Sequence, residues 1–431
     1  MNILMVTNTF TPKVSGVTQS VLEFSEAYRD KGHNVWVVAP KFQDAPEDEE
    51  NVIRVMAITE LSESDFSFAV PQPGYIENKL GDFEPDIIHS HHPFSLGPTA
   101  LRLARHYSVP LVYTYHTMYE HYTHYFSMDN EAVRNFIIRL AAEYADLCDA
   151  VIAPSQSVKE ILRDREVNSR IEVIPTGVEV ERFSKGHGAA FREKMGISRD
   201  DMVIGTVGRL EPEKNLLFLG RSVCEFMKKK DDAHFLMVGE GSAAEEVEEH
   251  FKEAGMGERL HRAGVLKKQE LVDSYHAMDL FAFASKTETQ GMVMTEAMAA
   301  GAGVVALAAS GARDVVEDGK TGKLVHEETE SAFVAALEEM SRKAQEDRHG
   351  LGDACRARAE ELSIKNCAGK ALDLYAELIE AGAEAKDEKG DLWEKSLDRL
   401  KAEWDLLLSK TSSVVEAVDM TFGDGEEKNE D

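Results

Sequence analysis

Cysteine and long apolar stretches are both scarce in this sequence. Only four cysteines occur among the 431 residues and none form a C-x-x-C pair, so a reducing compartment is favoured over a disulfide framework. No basic segment precedes the first apolar residues, which predicts an initial strand and not a signal peptide. Residues 292–309 are rich in Gly and Ala and contain Glu296, so a buried helix and strand explain them better than a membrane span. We therefore expect a cytoplasmic protein.

Basic residues are also few. The chain has 48 Lys and Arg against 78 Asp and Glu, which gives a net charge of −30 at pH 7. Such a surface repels phosphates over most of its area, which argues against general nucleic-acid binding. A D-x-D pattern of the kind that binds a divalent metal ion is absent too. An adaptation to salt or for solubility is the simpler explanation of the acidic excess.

What the sequence does contain is a regular alternation of strand-like and helix-like segments, with 43% hydrophobic residues. Apolar runs predict strands at 3–6, 35–39, 52–57, 86–90, 111–115, 150–153 and 171–174, and then at 203–207, 235–238, 263–266, 280–284 and 304–307. Helices are expected at 329–347 and 365–383. This alternation predicts two doubly wound α/β domains. We place them at 1–176 and 201–365, joined by a link at 177–200 and followed by a helix at 366–385 and an amphipathic helix with an acidic tail at 386–431.

Residues 280–307 have the pattern of a ligand-binding unit. A buried strand leads into a polar loop with Glu288 and Gly291, and a small-residue helix then begins near Met292 and carries Glu296. In a parallel sheet this loop lies at the carboxyl ends of the strands, and the helix N-terminus directs free N–H groups toward it. Carboxylates accept hydrogen bonds from neighbouring hydroxyls, which suits sugars and ribose. On spacing alone, a solvated loop residue and a helix-dipole partner are an equal alternative.

Glycine follows the first predicted strand of each half. Ser15-Gly16 precedes a helix, where the backbone would let a phosphate or sugar approach closely, although an ordinary turn fits as well. Gly208 introduces Arg209 and Lys214, two cations at a helix start that can clamp a diphosphate. Solvated surface charges are the alternative for that pair.

Nearly half of the fifteen histidines lie between His89 and His124. Imidazole is a common metal ligand, so a metal site is one reading. The spacing matches no standard zinc pattern, however, and no cysteine lies among these histidines. Because they follow two predicted strands, they fit better as the polar wall of one cleft, with His116 at the end of the 111–115 strand.

Several of these motifs resemble one enzyme family. The E-x7-E spacing of Glu288 and Glu296 and the segment GRLEPEKN at 208–215 are similar to the retaining glycosyltransferases of family 4. That resemblance implies the GT-B fold, in which two Rossmann-like domains face each other across a cleft and the last helix returns to the first domain. The strings HHPFSLG at 91–97 and YTYHTMYEHYTHY at 113–125 resemble the bacterial diacylglycerol glucosyltransferase-like subgroup.

The resemblance also implies site residues. In it, Glu288 contacts the donor hexose, Glu296 binds the nucleotide ribose, and backbone amides between them hold phosphate. The catalytic set it implies is His116, Arg209, Lys214 and Glu288. The donor-binding set is Gly16, Gly208, Arg209, Lys214, Glu288, Gly291, Met292, Val293 and Glu296. On the acceptor side the implied residues are Ser15, Phe94, Met118 and Tyr119, with Leu96 adding to an apolar entrance.

The implied activity is the transfer of a hexose, glucose in the subgroup, from a nucleoside diphosphate sugar to a lipid alcohol such as diacylglycerol. Retention of the anomeric configuration, no metal or other cofactor, and peripheral contact with the inner face of the membrane are expected with it. The alternatives are a soluble sugar or polyol acceptor and a nucleotide-sugar epimerase. A glycoside hydrolase would leave Arg209 and Lys214 unexplained, and a non-catalytic scaffold would bind the donor without transfer.

The C-terminal residues 391–410 predict a helix with an apolar stripe. Its members recur at 4-3-4-3 spacing and are Trp393, Leu397, Leu400, Trp404 and Leu407. Packing against the body of the protein, a partner contact and a membrane contact are all compatible with such a stripe. We expect the acidic tail from Gly423 to be disordered.

Overall fold

The fold is that of a computed structural model, which describes residues 1–13, 15–42, 44–46, 49–58, 68–69, 74–118 and 131–384. The strands are β1 (Asn2–Val6), β2 (Asn34–Pro40), β3 (Val52–Val55), β4 (Ala57–Ile58), β5 (Phe68–Ala69), β6 (Ile87–Ser90), β7 (Leu111–Thr114), β8 (Ala150–Ala153), β9 (Arg170–Val173), β10 (Met202–Val207), β11 (Ala233–Val238), β12 (Leu260–Arg262), β13 (Leu280–Phe283), β14 (Gly303–Leu307) and β15 (Gly322–Val325). The helices are α1 (Gly16–Asp30), α2 (Tyr75–Leu80), α3 (Leu96–Tyr107), α4 (Glu131–Leu147), α5 (Gln156–Asp164), α6 (Val180–Phe183), α7 (Gly188–Lys194), α8 (Leu216–Met227), α9 (Ala244–Glu253), α10 (Lys268–His276), α11 (Met292–Ala299), α12 (Ala312–Val315), α13 (Glu330–Glu346), α14 (Arg348–Glu361) and α15 (Ile364–Glu384).

The first domain is built on a parallel sheet in the order β3-β2-β1-β6-β7-β8-β9. Strands β6, β7 and β8 are buried at every position, because apolar side chains face helices on both sides of the sheet. The strand order reverses between β1 and β6, which pair with each other in parallel. Loops after these two strands diverge to opposite faces, so a crevice opens at their carboxyl ends.

The second domain repeats this arrangement with a parallel sheet in the order β12-β11-β10-β13-β14-β15. Its reversal lies between β10 and β13, which pair directly. The glycine loop at 208 follows β10 and the loop of Glu288 follows β13, so both loops border one crevice. The prediction of a strand at 263–266 is wrong. The edge strand is β12, which ends at Arg262, and Val265 is 57% exposed.

The predicted link at 177–200 is largely folded. It contains α6 and α7, and Phe183, Phe191 and Ile197 are buried in the core beneath the second sheet. The chain passes from one core to the other between Ile174, which belongs to the first domain's core, and Val178, which belongs to the second. Only a few residues are therefore left to act as a joint between the domains.

The helix α15 packs against the first domain although it follows the second in sequence. Its residues Cys367, Ala371 and Tyr375 share a core with α1 and with β1 and β2. The Tyr375 hydroxyl lies 3.1 Å from that of Tyr28 on α1. The end of the described chain thus stabilises the domain that carries its beginning.

Other elements also differ from the sequence prediction. The predicted strand at 52–57 is interrupted at Met56, which is 64% exposed, and continues as the separate β4. Helix α14 was not predicted, because its charged and glycine-containing sequence gives little helical periodicity. The predicted helix at 391–410 and the acidic tail lie outside the described residues. None of the described helices is long and apolar enough to cross a membrane.

Candidate active site

An ion pair joins the two loops at the crevice of the second domain. The Lys214 ammonium binds the Glu288 carboxylate, and both side chains are about four-fifths buried, with 21% and 23% of their surface exposed. Arg209 lies on the same loop as Lys214, where its guanidinium is 3.1 Å from Glu213 and 47% exposed. One predicted cation, Lys214, and one predicted glutamate, Glu288, are therefore in direct contact, and the second cation, Arg209, lies on the loop that bears Lys214.

Glycine makes the turn after β10 possible. Gly208 has φ 147°, and a Cβ on the neighbouring Gly239 would collide with the Gly208 carbonyl oxygen. A short 3₁₀ helix, Pro212–Lys214, follows, and Asn215 takes the left-handed conformation with φ 57° before α8 begins. Asn215 donates a hydrogen bond of 2.8 Å to Glu328. This tight turn is what directs Lys214 toward β13.

The N-terminus of α11 borders the same crevice. Gly291 precedes it with φ 75°, and a Cβ there would lie 2.5 Å from the methyl group of Met294. Within the described part of the chain, no side chain caps the helix, so the first amides of Met292 and Val293 are free to bind an anion. The helix dipole favours negative charge at this end.

Glu296 lies half-buried one turn into α11. Its carboxylate accepts a hydrogen bond of 2.6 Å from the hydroxyl of Tyr275. Burial raises the pKa of Glu296, and the Tyr275 hydrogen bond and the charge of Arg182 lower it. The first domain adds a second acid nearby. Burial raises the pKa of Glu23 on α1 to about 8, and the negative charge of Glu296 adds to the shift.

Three histidines lie together in the first domain, and of these only His116 is partly exposed, at the facing wall of the cleft. His91 is fully buried, and its Nδ1 lies 2.9 Å from Nε2 of His116. His89 hydrogen-bonds through both nitrogens, to Thr114 at 2.7 Å and to the hydroxyl of Tyr375 at 2.6 Å. Burial lowers the pKa of all three imidazoles, most strongly for His91 and His116, so these rings are neutral at pH 7.

The loop that bears Glu288 is also bound to the first domain. Thr289 donates a hydrogen bond of 3.0 Å to the carbonyl of His116, and its own carbonyl accepts one of 2.6 Å from Ser155. The buried carboxamide of Gln290 accepts from the Thr176 N–H at 2.7 Å and donates to the Thr176 carbonyl at 2.6 Å. The structure therefore brings His116 and Glu288 to the two sides of one cleft.

A carboxylate of the second domain adds to this contact by capping a helix of the first. Asp314 accepts hydrogen bonds from Gln156 N at 3.0 Å, from Ser157 N at 3.3 Å and from the Ser157 hydroxyl at 2.7 Å, at the start of α5. Arg358 on α14 holds the Asp314 carbonyl at 2.7 Å. Negative charge at a helix N-terminus is stabilising, so this cap favours the closed arrangement of the domains.

The predicted acceptor-side residues behave differently from one another. The side chain of Ser15 caps α1 by accepting from Thr18 N at 3.1 Å, and a Cβ on Gly16 would meet no described atom within 4 Å. Phe94 and Met118 are each 8% exposed and pack in the first domain's core. Leu96 is fully buried as well, so these three side chains lie in the core in this structure, and their part in an apolar entrance for the acceptor stays a prediction. Tyr119 lies outside the described residues.

Sequence reasoning missed several residues that shape this site. Tyr275 bonds Glu296, Thr289 bonds His116 and Gln290 bonds Thr176, yet each of the three is a common residue type with no distinctive spacing. Glu23 carried no signal because a glutamate on a helix is ordinarily solvated. Across the described ranges, no group of three or more His, Cys, Asp or Glu side chains is placed to hold a metal ion.

Two protein-family models match the chain in succession. The model described as Glycosyltransferase Family 4 matches residues 14–182, and the model described as Glycosyl transferases group 1 matches residues 189–358. The chain belongs to glycosyltransferase family 4. The family 4 motifs coincide with the loops at the two crevices, and the pair of facing parallel sheets is the GT-B fold.

Individual relatives of this family 4 chain differ in their substrates. An alpha-monoglucosyldiacylglycerol synthase of Streptococcus pneumoniae is 26% identical over 90% of this chain and 88% of its own length. A GDP-mannose-dependent alpha-mannosyltransferase of Corynebacterium glutamicum is 28% identical over 75% of this chain and 76% of its own. The crystal structure of HepE from Anabaena in complex with UDP-glucose covers 88% of this chain and 100% of that chain, with a TM-score of 0.68 at 20% identity. The similarity to HepE, at 20% identity, shows the fold alone.

Proposed function

We propose that this family 4 glycosyltransferase transfers a hexose, glucose, from a nucleoside diphosphate sugar to a lipid alcohol such as diacylglycerol, with retention of configuration. The observation that carries the proposal is the contact of Lys214 with the Glu288 carboxylate, on two loops that also carry Arg209 and the uncapped start of α11. Cations and amides suit a diphosphate, and a carboxylate suits the hydroxyls of a hexose.

Each part of the donor has a place in this arrangement. The diphosphate lies between the cations and the first amides of α11, those of Met292 and Val293. The hexose extends toward Glu288 and His116, which line the two sides of the cleft. The ribose lies at Glu296, whose carboxylate is already oriented by Tyr275. Binding of the diphosphate draws Lys214 from Glu288, which releases the carboxylate for the sugar.

The reaction needs no side chain as a base. The bond from the anomeric carbon to the diphosphate oxygen breaks, and the acceptor oxygen forms its bond to that carbon on the same face. The acceptor hydroxyl gives its proton to the departing phosphate oxygen. Arg209 and Lys214 stabilise the charge that develops on the diphosphate, so two cations and a helix dipole take the place of a divalent metal ion.

The lipid acceptor rests on the similarity to the diacylglycerol glycosyltransferases of the subgroup. The S. pneumoniae synthase matches 90% of this chain, which includes both walls of the cleft. A soluble polyol is the second candidate, because the sequence has a large acidic excess that an anionic bilayer would repel. Peripheral membrane contact is accordingly part of the proposal for the lipid and is not needed for the polyol.

The deciding experiment offers radiolabelled UDP-glucose, UDP-galactose and GDP-mannose to the protein with diacylglycerol vesicles or a panel of soluble polyols. Label from UDP-glucose in the lipid phase is the expected result, and it should persist in EDTA. Label confined to the aqueous phase for every donor contradicts the lipid acceptor. A donor sugar that changes configuration without any acceptor would indicate an epimerase.

A further inference from the structure

The buried imidazole of His91 has one nitrogen without a partner. Its Nδ1 lies 2.9 Å from Nε2 of His116, and its Nε2 is buried without a hydrogen bond to any described residue. Burial, together with the neighbouring histidines, lowers the pKa of both rings, so each imidazole is neutral and carries one proton. The single hydrogen bond between the rings can therefore be formed in two ways.

The two ways differ in what is left unsatisfied. If Nε2–H of His116 donates, His91 must carry its proton on Nε2, which leaves a buried N–H without an acceptor. If Nδ1–H of His91 donates, Nε2 of His91 is unprotonated, and what is left without a partner is an acceptor lone pair. A buried donor without a partner is rarer in proteins than an under-satisfied acceptor, so the second arrangement is favoured.

That arrangement decides the tautomer of His116. Its Nε2 accepts the bond from His91, so its proton lies on Nδ1. Among the described residues, Nδ1 of His116 has no hydrogen-bond partner, and the ring is half-buried at the cleft. The free Nδ1–H is then a donor available to a bound ligand.

The surroundings hold both rings in place. The ring of His89 lies against that of His91 with centroids 4.1 Å apart, and His89 is held by Thr114 and by Tyr375 of α15. The rings of His91 and His116 lie edge to edge and nearly coplanar, with centroids 5.2 Å apart and an interplanar angle of 24°, as the hydrogen bond between them requires. The backbone of His91 extends the sheet by donating to the Val6 carbonyl at 2.9 Å. The His91 side chain therefore has no freedom to turn away.

We propose that His91 is a positioning residue that fixes His116 as the Nδ1–H tautomer and presents this N–H to the donor sugar or to the departing phosphate oxygen. This inference rests on the proposed function for its consequence in catalysis, although the tautomer itself does not depend on any substrate. His91 never touches the ligand, because its side chain is fully buried.

The test compares two nearly isosteric variants, His91→Asn and His91→Leu. Both lose the ring, and only Asn keeps an N–H donor near the position of Nδ1. Tyr144→Phe is the control, because Tyr144 is buried in the same domain. Its hydroxyl donates a hydrogen bond of 2.8 Å to the hydroxyl of Ser90 and none to His116. Two-dimensional NMR of ¹⁵N-histidine-labelled full-length protein reports the tautomer, and His116→Gln assigns the signals.

We expect wild-type His116 to show a protonated Nδ1 and a bare, hydrogen-bonded Nε2. In His91→Leu, an Nε2–H form should appear and kcat should fall by about 10- to 100-fold at nearly unchanged KM for the donor, since a misplaced group can cost about 10²-fold. His91→Asn should recover much of the loss, and Tyr144→Phe should keep both the wild-type tautomer and kcat. The inference is overturned if wild-type His116 is protonated on Nε2, or if His91→Leu retains kcat. Absence of sugar transfer by a wild-type protein with the expected tautomer would count against the proposed function alone.

Discussion

The carboxamide of Gln290 offers the sharpest test of how the two domains meet. It is 4% exposed, and it pairs with both the N–H and the carbonyl of Thr176, which is 5% exposed. Replacement by Leu keeps the volume and leaves both backbone groups without partners. Each buried unsatisfied group costs about 1–3 kcal/mol, or about 2–6 for the pair. Water can reach the joint if the domains shift, so we expect the lower part of this range, about 2–3 kcal/mol.

The assay is urea unfolding of the full chain together with steady-state kinetics. Gln290→Leu should lower the free energy of unfolding by the amount above, and it should lower kcat because the loop of Glu288 loses its anchor. Gln290→Glu is the matched control. Its carboxylate still accepts from the Thr176 N–H but repels the carbonyl, whereas its protonated form can donate, so its defect should shrink as pH falls. Unchanged unfolding and unchanged kcat in the Leu variant would refute the role of this contact.

Three more predictions concern charged groups in the cleft. Arg209→Ala and Lys214→Ala should each lower kcat by about 10²–10³-fold with little effect on sugar selectivity, measured in EDTA, and a strict need for Mg²⁺ would contradict the metal-free mechanism. Calorimetry should show that Glu296→Ala weakens the free nucleoside diphosphate while Glu288→Ala weakens chiefly the complete nucleotide sugar, by about 1.5–3 kcal/mol each, and equal losses for the nucleotide would reject this division. The pKa of Glu23 is raised to about 8, mainly by burial, so its contribution to stability is present below the unfolded pKa of about 4.3 and is lost as pH rises toward 8, at up to about 1.4 kcal/mol per pH unit. Glu23→Gln should flatten this loss in unfolding experiments between pH 5 and 8, and parallel curves for the two proteins would show that Glu23 is ionised in the fold.

Much of the fold could be predicted because parallel strands that are buried on both faces appear as continuous apolar runs. Such runs located most of the strands of both sheets within one or two residues. The prediction at 263–266 failed because β12 is a three-residue edge strand, Leu260–Arg262, whose side chains are only partly buried. Helix α14 was missed because the stripe that it buries against α11 and α13 is narrow and consists mostly of small side chains, Leu351, Gly352, Cys355 and Ala359, among many charged ones.

The sequence could indicate the site where a glycine turn and the charged residues of a motif lie within the same loop. Glycine at 208 and 291 has positive φ in the structure, and Lys214, after the first turn, contacts Glu288, before the second. What the motifs did not contain is the contact between loops that lie far apart in sequence. Gln290 and Thr176 are 114 positions apart, and neither residue type is unusual for a loop. Such a contact exists only once both domains have folded and closed.

The ion pair of Lys214 with Glu288 changes how the motif residues have to be understood. From the sequence, Lys214 was expected to bind phosphate and Glu288 to bind the hexose, as if the two residues acted independently. In the structure each is the other's partner in a partly buried site, so removing either one leaves an uncompensated charge beside the donor. Donor binding must exchange this pair for two new ones, in which the lysine contacts phosphate and the glutamate contacts hydroxyls. The two residues therefore form one unit, and the effects of replacing them are expected to be non-additive.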